Sequence, residues 1–266
     1  MVVGAPRAGK TLMVKAIVKR LKERGVKQIT VLDPSLAWWS DAPLTYRKIC
    51  RLVKETDFKV HQYDCVCDVS KFIGDERSDV IRTPIEDEYV ERVDKRRVSG
   101  CTPTSFPLNV TVIEEAQTIF KKFGIPGTRI YDWVSMGMNF NMTGVYTTQR
   151  PAEVPTEIVE RCNLLIGYID GHRNMQKIRG AVKNMEFMRN VLKTKQGSHE
   201  FMYYDGGTGF KVKVEDVHYG EPKTILPARL LLPNLGEAPQ NPQKGIPSWW
   251  WIAAILLILA VAEIIW

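Results

Sequence analysis

The sequence predicts an α/β fold with a mainly parallel central sheet. Two observations lead to this prediction. A loop of the pattern GxxxxGK[ST], residues 4–11, joins a short apolar run to a helical pattern, and short apolar runs then alternate with helical patterns as far as residue 215. We expect one domain over 1–220, a proline-rich linker over 221–248 and a C-terminal transmembrane helix over 249–266.

The loop has the composition of a phosphate-binding loop. Glycines at both ends allow successive backbone N–H groups to point at phosphate oxygens, and the next helix directs its positive end the same way. Lys10 is predicted to neutralise the β- and γ-phosphates, and the Thr11 hydroxyl to bind Mg²⁺. ATP and Mg²⁺ are therefore the expected ligands. The predicted binding residues are Gly4, Ala5, Pro6, Arg7, Ala8, Gly9, Lys10 and Thr11.

The elements that follow can be taken in chain order. The first helix is expected to end near Gly25, and a buried strand follows at 28–32. The further predictions are a helix at 46–54, a strand at 58–63, a helix within 68–104, a strand at 109–113, a helix at 129–139, a strand at 142–148, a helix at 155–161, a strand at 162–170, a helix at 174–192 and a hairpin of 199–205 with 210–214.

Two of these strands end in polar side chains suited to hydrolysis. Strand 109–113 is followed by Glu114 and Glu115, as in a Walker B strand. We assign Glu114 to the shell of Mg²⁺ and Glu115 to the general base that polarises the attacking water. Gln149 follows strand 142–148 and is predicted to hydrogen-bond both the γ-phosphate and that water. The predicted catalytic residues are thus Lys10, Glu115 and Gln149.

Charge and cysteine content restrict the partners. A formal net charge of +7 favours a polyanion or an anionic membrane. The lysines at 15, 19 and 22 suggest a basic surface on the first helix, which is either a solvated face or a nucleic-acid contact.

The five cysteines show no disulfide spacing and are expected to be free thiols. The group 61–67 offers three metal-ligand side chains without an evident fourth, so no zinc site is predicted.

Three segments in this order resemble the FtsK/HerA superfamily of DNA-translocating P-loop ATPases. They are Gly4-Ala5-Pro6-Arg7-Ala8-Gly9-Lys10-Thr11, Val112-Ile113-Glu114-Glu115-Ala116-Gln117 and Thr147-Thr148-Gln149-Arg150-Pro151. Asp33-Pro34 after the second strand also echoes the HerA type. The resemblance implies a RecA-like sheet, ATP hydrolysis between the subunits of a homo-oligomeric ring, usually a hexamer, and double-stranded DNA driven through the pore. Small versions are common as viral genome-packaging ATPases.

One departure from this family concerns the arginine that acts between subunits. Many relatives carry Gly-Arg-Lys or Gly-Arg-His before the glutamine strand, whereas this chain has Gly137-Met138-Asn139. The usual arginine arrangement is therefore in doubt. The candidates for this role are Arg92, Arg96, Arg97 and Arg150.

The C-terminal residues 249–266 have the composition of a membrane anchor. The stretch is apolar except for Glu263, and tryptophans stand at both ends. With Lys244 just before it, the expected topology is a single-pass anchor in a host or virion membrane, with the ATPase domain cytoplasmic. A terminal helix buried in an oligomer is the alternative.

Three functions are compatible with these observations. The first is a membrane-anchored ATPase that translocates DNA for viral genome packaging. The second is an assembly or secretion ATPase similar to the zonula-occludens-toxin family of filamentous phages, with virion or coat proteins as partners. The third is a nucleotide-dependent scaffold with little turnover, suggested by Glu114 at a position where aspartate is usual and by the missing arginine.

Overall fold

The computed structural model describes residues 1–35, 37–38, 45–48, 65–70, 72–100, 102, 105–207 and 209–214, with the backbone alone for 45–48 and 65–68. Nine strands are described: β1 (Val2–Val3), β2 (Gln28–Asp33), β3 (Thr45–Lys48), β4 (Cys65–Asp68), β5 (Asn109–Ile113), β6 (Met142–Thr148), β7 (Leu164–Ile166), β8 (Glu200–Tyr204) and β9 (Gly209–Lys213). Seven α-helices are described: α1 (Lys10–Glu23), α2 (Gly74–Ser99), α3 (Gln117–Phe123), α4 (Arg129–Met136), α5 (Thr156–Glu160), α6 (His172–Ala181) and α7 (Met185–Val191).

The strands form one sheet in the order β3-β4-β2-β5-β6-β1-β7-β8-β9. The first seven strands of this order are mutually parallel, and only the β7–β8 and β8–β9 pairings are antiparallel. The prediction of a mainly parallel α/β sheet is therefore confirmed. Because β1, β5 and β6 run in the same direction, the residues that follow them meet at one edge of the sheet.

Apolar side chains cover both faces of the sheet. One face packs against α1, whose Met13, Val14 and Ile17 are buried, and the other packs against α2 to α7. Consecutive strand residues alternate between the two faces: Val112 belongs to the α1 side and Ile113 to the other. Strands buried on both faces have continuous apolar runs, and such runs identified β2, β5 and β6 in the sequence.

Three element predictions need correction. The first residues of the predicted helix over 46–54 form strand β3 instead, which is the outermost strand of the sheet and pairs in parallel with β4. Residues 49–54 lie outside the described residues. The predicted strand 162–170 contains only the short strand β7. The predicted helix over 174–192 is two helices, because the chain is extended at Val182 and Asn184 then caps α7 by accepting a hydrogen bond from the Phe187 amide at 2.9 Å.

The remaining predictions divide between those confirmed and those outside the described residues. The helix within 68–104 is α2, the short helix near 155–161 is α5, and the predicted hairpin is the β8–β9 pair. Helix α3 was not predicted. The predicted strand 58–63, the linker 221–248 and the anchor 249–266 lie outside the described residues. In the part of the chain that the structure describes, no helix is both long enough and apolar enough to span a membrane.

Two surface predictions can also be compared with the structure. Lys15 is buried rather than part of a basic surface on α1, and its Nζ lies 5.7 Å from the ring centre of Trp38. Cys162 is a free thiol, as predicted. Cys65 and Cys67 lie on β4, and no cluster of metal-ligand side chains is found within the ranges described above.

Candidate active site

The phosphate-binding loop lies at the carboxyl ends of the parallel strands. The Gly4 amide donates to the carbonyl of Thr148 at the end of β6, and the Ala5 amide donates to the carbonyl of Tyr168 beyond β7. These two bonds attach the loop to the strands on either side of β1. A Cβ on Gly4 would come within 2.9 Å of the Ala8 side chain, so the loop closes this tightly only with glycine there.

The start of α1 is open to an anionic ligand. Gly9 precedes the helix with a φ of 86°, which favours glycine, and no side chain in the described part of the chain caps the helix. The first N–H groups of α1 consequently have no partner within the helix, and the positive end of the helix dipole adds to their attraction for an anion. Thr11 lies in this first turn. The loop therefore has the geometry that phosphate binding requires.

Lys10 is buried, and its Nζ donates to the carbonyl of Ala5 at 2.9 Å. Burial lowers the pKa of Lys10, while the nearby Glu114 and Glu115 oppose this shift. An ammonium group has three N–H donors, so Lys10 keeps donors for phosphate oxygens. The predicted role of Lys10 fits this position.

The two acids after β5 occupy different environments. Glu114 is 4% exposed, whereas Glu115 is partly exposed. Burial raises the pKa of Glu114, the bonds from Thr147 and Trp38 lower it, and the nearby Asp33 raises it again. A carboxylate with this much burial and a neighbouring carboxylate is suited to a position beside a cation.

Glu115 and Gln149 are in direct contact. The Gln149 Nε2 donates to the Glu115 Oε1 at 3.0 Å, across a sequence separation of 34 residues. Glu115 also has a φ of 55°, a strained conformation for a residue other than glycine. The structure thus brings together the predicted base and the predicted water-positioning amide.

Thr147 joins both acids, and sequence reasoning gave it no role. Its Oγ1 accepts from the Glu115 amide at 3.0 Å and donates to the Glu114 Oε2 at 2.5 Å. The Thr147 side chain is fully buried on β6. Its place in the motif 147–151 was the available signal, but only the pairing of β5 with β6 brings it beside the acids.

Trp38 is a second residue that the sequence did not identify. Its indole Nε1 donates to the Glu114 Oε1 at 3.2 Å, and its side chain is fully buried. The Trp38 amide donates to the Asp33 Oδ2 at 3.0 Å, and the other oxygen of Asp33 accepts two bonds from Ser35. The Asp33-Pro34 pair therefore begins a turn that presents Trp38 to Glu114.

These contacts allow a test of whether the site suits Mg²⁺. Each Glu114 oxygen accepts one hydrogen bond, which leaves lone pairs for water molecules bound to a metal. Glu114, Lys10 and the first turn of α1 all lie at the same sheet edge. The oxygen donors of Glu114 and Thr11 are the ligand type that Mg²⁺ prefers, so the predicted metal residues fit this ion.

We predict that Trp38→Phe weakens the response to Mg²⁺. Phenylalanine keeps most of the apolar packing but cannot donate to Glu114, and a hydrogen bond to a charged group contributes about 1.5–3 kcal/mol. The Mg²⁺ concentration for half-maximal ATP hydrolysis should rise by roughly 10-fold, as measured by a Mg²⁺ titration of the phosphate released.

Trp133→Phe is the matched control for this variant. Trp133 is as deeply buried as Trp38, but its Nε1 has no hydrogen-bond partner among the described residues, so the substitution changes packing alone. Melting temperatures of both variants separate stability from function. An equal shift of the Mg²⁺ dependence in the two variants would contradict the role of the Trp38 indole.

Comparison with known proteins identifies the fold. No family model matches the sequence, and no curated protein matches it by sequence. Among solved structures, the genome-packaging NTPase B204 of Sulfolobus turreted icosahedral virus 2, in complex with AMPPCP, is 17% identical with a TM-score of 0.57 over 79% of this chain and 94% of that protein. The conjugation coupling protein TcpA of pCW3 is 13% identical with a TM-score of 0.54, over 83% of this chain and 60% of that protein. VirB4 of Thermoanaerobacter pseudethanolicus is 11% identical with a TM-score of 0.53, over 82% of this chain and 89% of that protein.

These neighbours agree with the resemblance inferred from the three sequence segments. The likeness establishes the fold, and the predicted α/β fold with a mainly parallel sheet is the one that these ATPases have. The chain therefore combines this fold with the side chains that the sequence predicts for ATP hydrolysis.

Proposed function

We propose that this FtsK/HerA-type ATPase couples ATP hydrolysis to the movement of double-stranded DNA, as the genome-packaging motor of a virus. The observation that supports it most is the hydrogen bond between Gln149 and Glu115, because it joins a sensor of bound nucleotide to the base that activates water. B204, which shares this fold over almost its whole length, is a genome-packaging NTPase, and TcpA is a conjugation coupling protein.

The residues at the sheet edge divide the chemical work among them. The loop amides and Lys10 hold the phosphates, while Glu115 accepts a proton from water that Gln149 orients toward the γ-phosphate. Thr11 and Glu114 would hold Mg²⁺, which when bound neutralises charge on the phosphate oxygens. Thr147 and Trp38 keep Glu114 in place. Loss of the γ-phosphate would remove a partner of Gln149 and so change the contacts of β6.

The active form in this proposal is a homo-oligomeric ring, with a hexamer as the expected size. An arginine from a neighbouring subunit would complete the site by contacting the phosphate that is transferred. Arg92 is unsuited to this role, because it is buried and bonded to Glu88 and to three backbone carbonyls. The candidates that stay exposed are Arg96, Arg97 and Arg150.

The test is an ATPase assay with and without duplex DNA. Wild-type protein should hydrolyse ATP faster when duplex DNA is added, and a single-stranded oligonucleotide of equal nucleotide concentration controls for charge alone. Hydrolysis that never responds to duplex DNA would exclude the translocase function.

The assembly or secretion function is the second candidate. It takes the same nucleotide chemistry but has virion or coat proteins as its substrate, and the favouring observation is the combination of this fold with the apolar residues 249–266. Crosslinking in infected or expressing cells separates the two functions, since capture of coat protein without DNA would favour assembly. Turnover that Glu115→Gln abolishes would exclude the scaffold function.

We also propose that residues 249–266 anchor the chain in a host or virion membrane, with the ATPase domain on the cytoplasmic side. Support comes from the composition of this stretch and from Lys244 before it. Fractionation of the full chain and of residues 1–248 tests the anchor. The full chain should sediment with membranes and resist high salt, and recovery of both forms in the soluble fraction would refute it.

A further inference from the structure

The positive charge of the chain is concentrated in two short segments, 10–27 and 172–195. Residues 172–195 contain seven lysines and arginines and a single carboxylate, Glu186, and thus hold a formal charge of +6, compared with +7 for the whole chain. This segment forms helices α6 and α7 and their connections. Residues 10–27 also hold a formal charge of +6, but Lys10 and Lys15 of that segment are buried, and the rest of the chain is negative in sum.

Most cations of segment 172–195 are exposed, whereas Lys177 is partly buried and lies near Glu157 and Glu160. Ile178 of α6 and Phe187 of α7 are buried against the sheet, and the charged side chains lie away from them. The four that are exposed on or between the two helices are Arg173, Arg179, Lys183 and Arg189. We call this set the basic face. Within the described part of the chain, none of the four forms an ion pair.

A comparison with α2 indicates that the basic face is more than a solvated surface. Basic side chains of α2 form ion pairs on the same helix, such as Arg82 with Asp79 and Lys95 with Glu91. Pairing of this kind cancels charge and is typical of a solvent-exposed helix. The basic face has no such cancellation, and clustered unpaired cations match the repeated charge of a phosphate backbone.

The start of the α6–α7 segment is hydrogen-bonded to residues of the candidate active site. The Asn174 Oδ1 accepts from the Ala152 amide at 3.3 Å, and its Nδ2 donates to the Asp170 carbonyl at 2.9 Å and lies 3.5 Å from the carbonyl of Gln149. A displacement of α6 would therefore act on the segment that positions the Gln149 side chain.

The end of the α6–α7 segment contacts the phosphate-binding loop. After α7, the Gln196 Nε2 donates to the Pro6 carbonyl at 3.3 Å. His199 packs so closely on Gly9 that a Cβ on this glycine would come within 2.9 Å of the imidazole. His199 also has a φ of 52°, a strained conformation that persists because its surroundings hold it. Both ends of the α6–α7 segment thus touch groups that bind or sense nucleotide.

We propose that the basic face binds the phosphate backbone of duplex DNA, and that the contacts at its two ends transmit this binding to the ATPase site. The inference rests on the proposed DNA-translocating function and names the surface that carries it out. Its contacts are with phosphates, so binding depends on salt and is independent of base sequence.

The experiment compares two triple charge reversals that alter net charge equally. One variant carries Arg173→Glu, Arg179→Glu and Lys183→Glu on the basic face. Its matched control carries Lys19→Glu, Lys27→Glu and Arg129→Glu, which are exposed elsewhere. The affinity for a fluorescent duplex is measured from 50 to 300 mM salt, and the increase in melting temperature with Mg·ATP checks that both variants fold and bind nucleotide.

The expected result is a loss of affinity for duplex DNA in the basic-face variant and not in its control. The slope of log K against log salt should become shallower by about 3, since each phosphate contact contributes roughly 0.9. DNA-stimulated hydrolysis should disappear with binding. Equal losses in both variants, or wild-type binding to anionic phospholipid vesicles but not to DNA, would overturn the inference. Failure of the wild type to bind any polyanion would overturn the proposed function as well.

Transmission is tested with Asn174→Ala combined with Gln196→Ala. These substitutions remove a contact at each end of the segment without changing its charge. The double variant should bind duplex DNA with wild-type affinity and salt dependence while its hydrolysis is no longer stimulated by DNA. Full stimulation at wild-type affinity would show that the two ends do not transmit binding.

Discussion

Replacing Glu115 by glutamine is expected to reduce kcat for ATP hydrolysis by about 10²- to 10⁴-fold while ATP binding is retained. The amide cannot accept a proton from water. It keeps the shape of the side chain, tolerates the same positive φ, and its oxygen can still accept the bond from Gln149. The phosphate loop is untouched, so the binding groups stay in place.

Single-turnover hydrolysis and binding of a fluorescent ATP analogue measure the two effects separately. Glu157→Gln is a suitable control, because Glu157 is an exposed carboxylate in the first turn of α5, outside the site. A Glu115→Gln protein with more than a tenth of wild-type kcat would require another group to act as the base.

Lys10→Met is expected to abolish useful ATP binding. Methionine fills a similar volume without the ammonium group, and loss of a buried charge that pairs with a ligand costs about 2–5 kcal/mol, or roughly 30- to 5,000-fold in Kd. The unliganded protein should not be destabilised to the same degree, because burial already disfavours the charged form of Lys10.

The melting temperature with and without Mg·ATP distinguishes these effects. Wild-type protein should gain stability with nucleotide, whereas Lys10→Met should melt near the temperature of the unliganded wild type in both conditions. Lys19→Met, an exposed change on the same helix, should respond to nucleotide as the wild type does. A normal nucleotide shift in Lys10→Met would mean that Lys10 does not contact the phosphates.

Local patterns were sufficient for the main elements of the fold and for the positions of the candidate site residues after their strands. The spacing of Gly4, Gly9 and Lys10 encodes a turn and a helix start that depend on near neighbours alone. Buried parallel strands have continuous apolar runs, so β2, β5 and β6 were visible, and the polar residues after them were placed at the correct ends. Because these strands are parallel, the residues that follow them lie at one edge of the sheet.

Patterns over a few residues were insufficient where contacts with distant segments decide whether a stretch forms a strand or a helix. Residues 46–48 form a strand because β4 provides a partner at the sheet edge, and strand preference depends strongly on such pairing. The break between α6 and α7 at Val182 follows from the capping of α7 by Asn184, a signal present in the sequence but outweighed by the longer helical pattern.

The sequence by itself determined a phosphate loop, a pair of acids and a glutamine at the ends of parallel strands, because each is specified by residues adjacent in the chain. Only the tertiary structure decided what holds these groups together. Trp38 reaches Glu114 across 76 residues and Gln196 reaches Pro6 across 190, and no local pattern specifies contacts over such separations. They arise when the sheet aligns its strands and the connecting segments pack at a common edge.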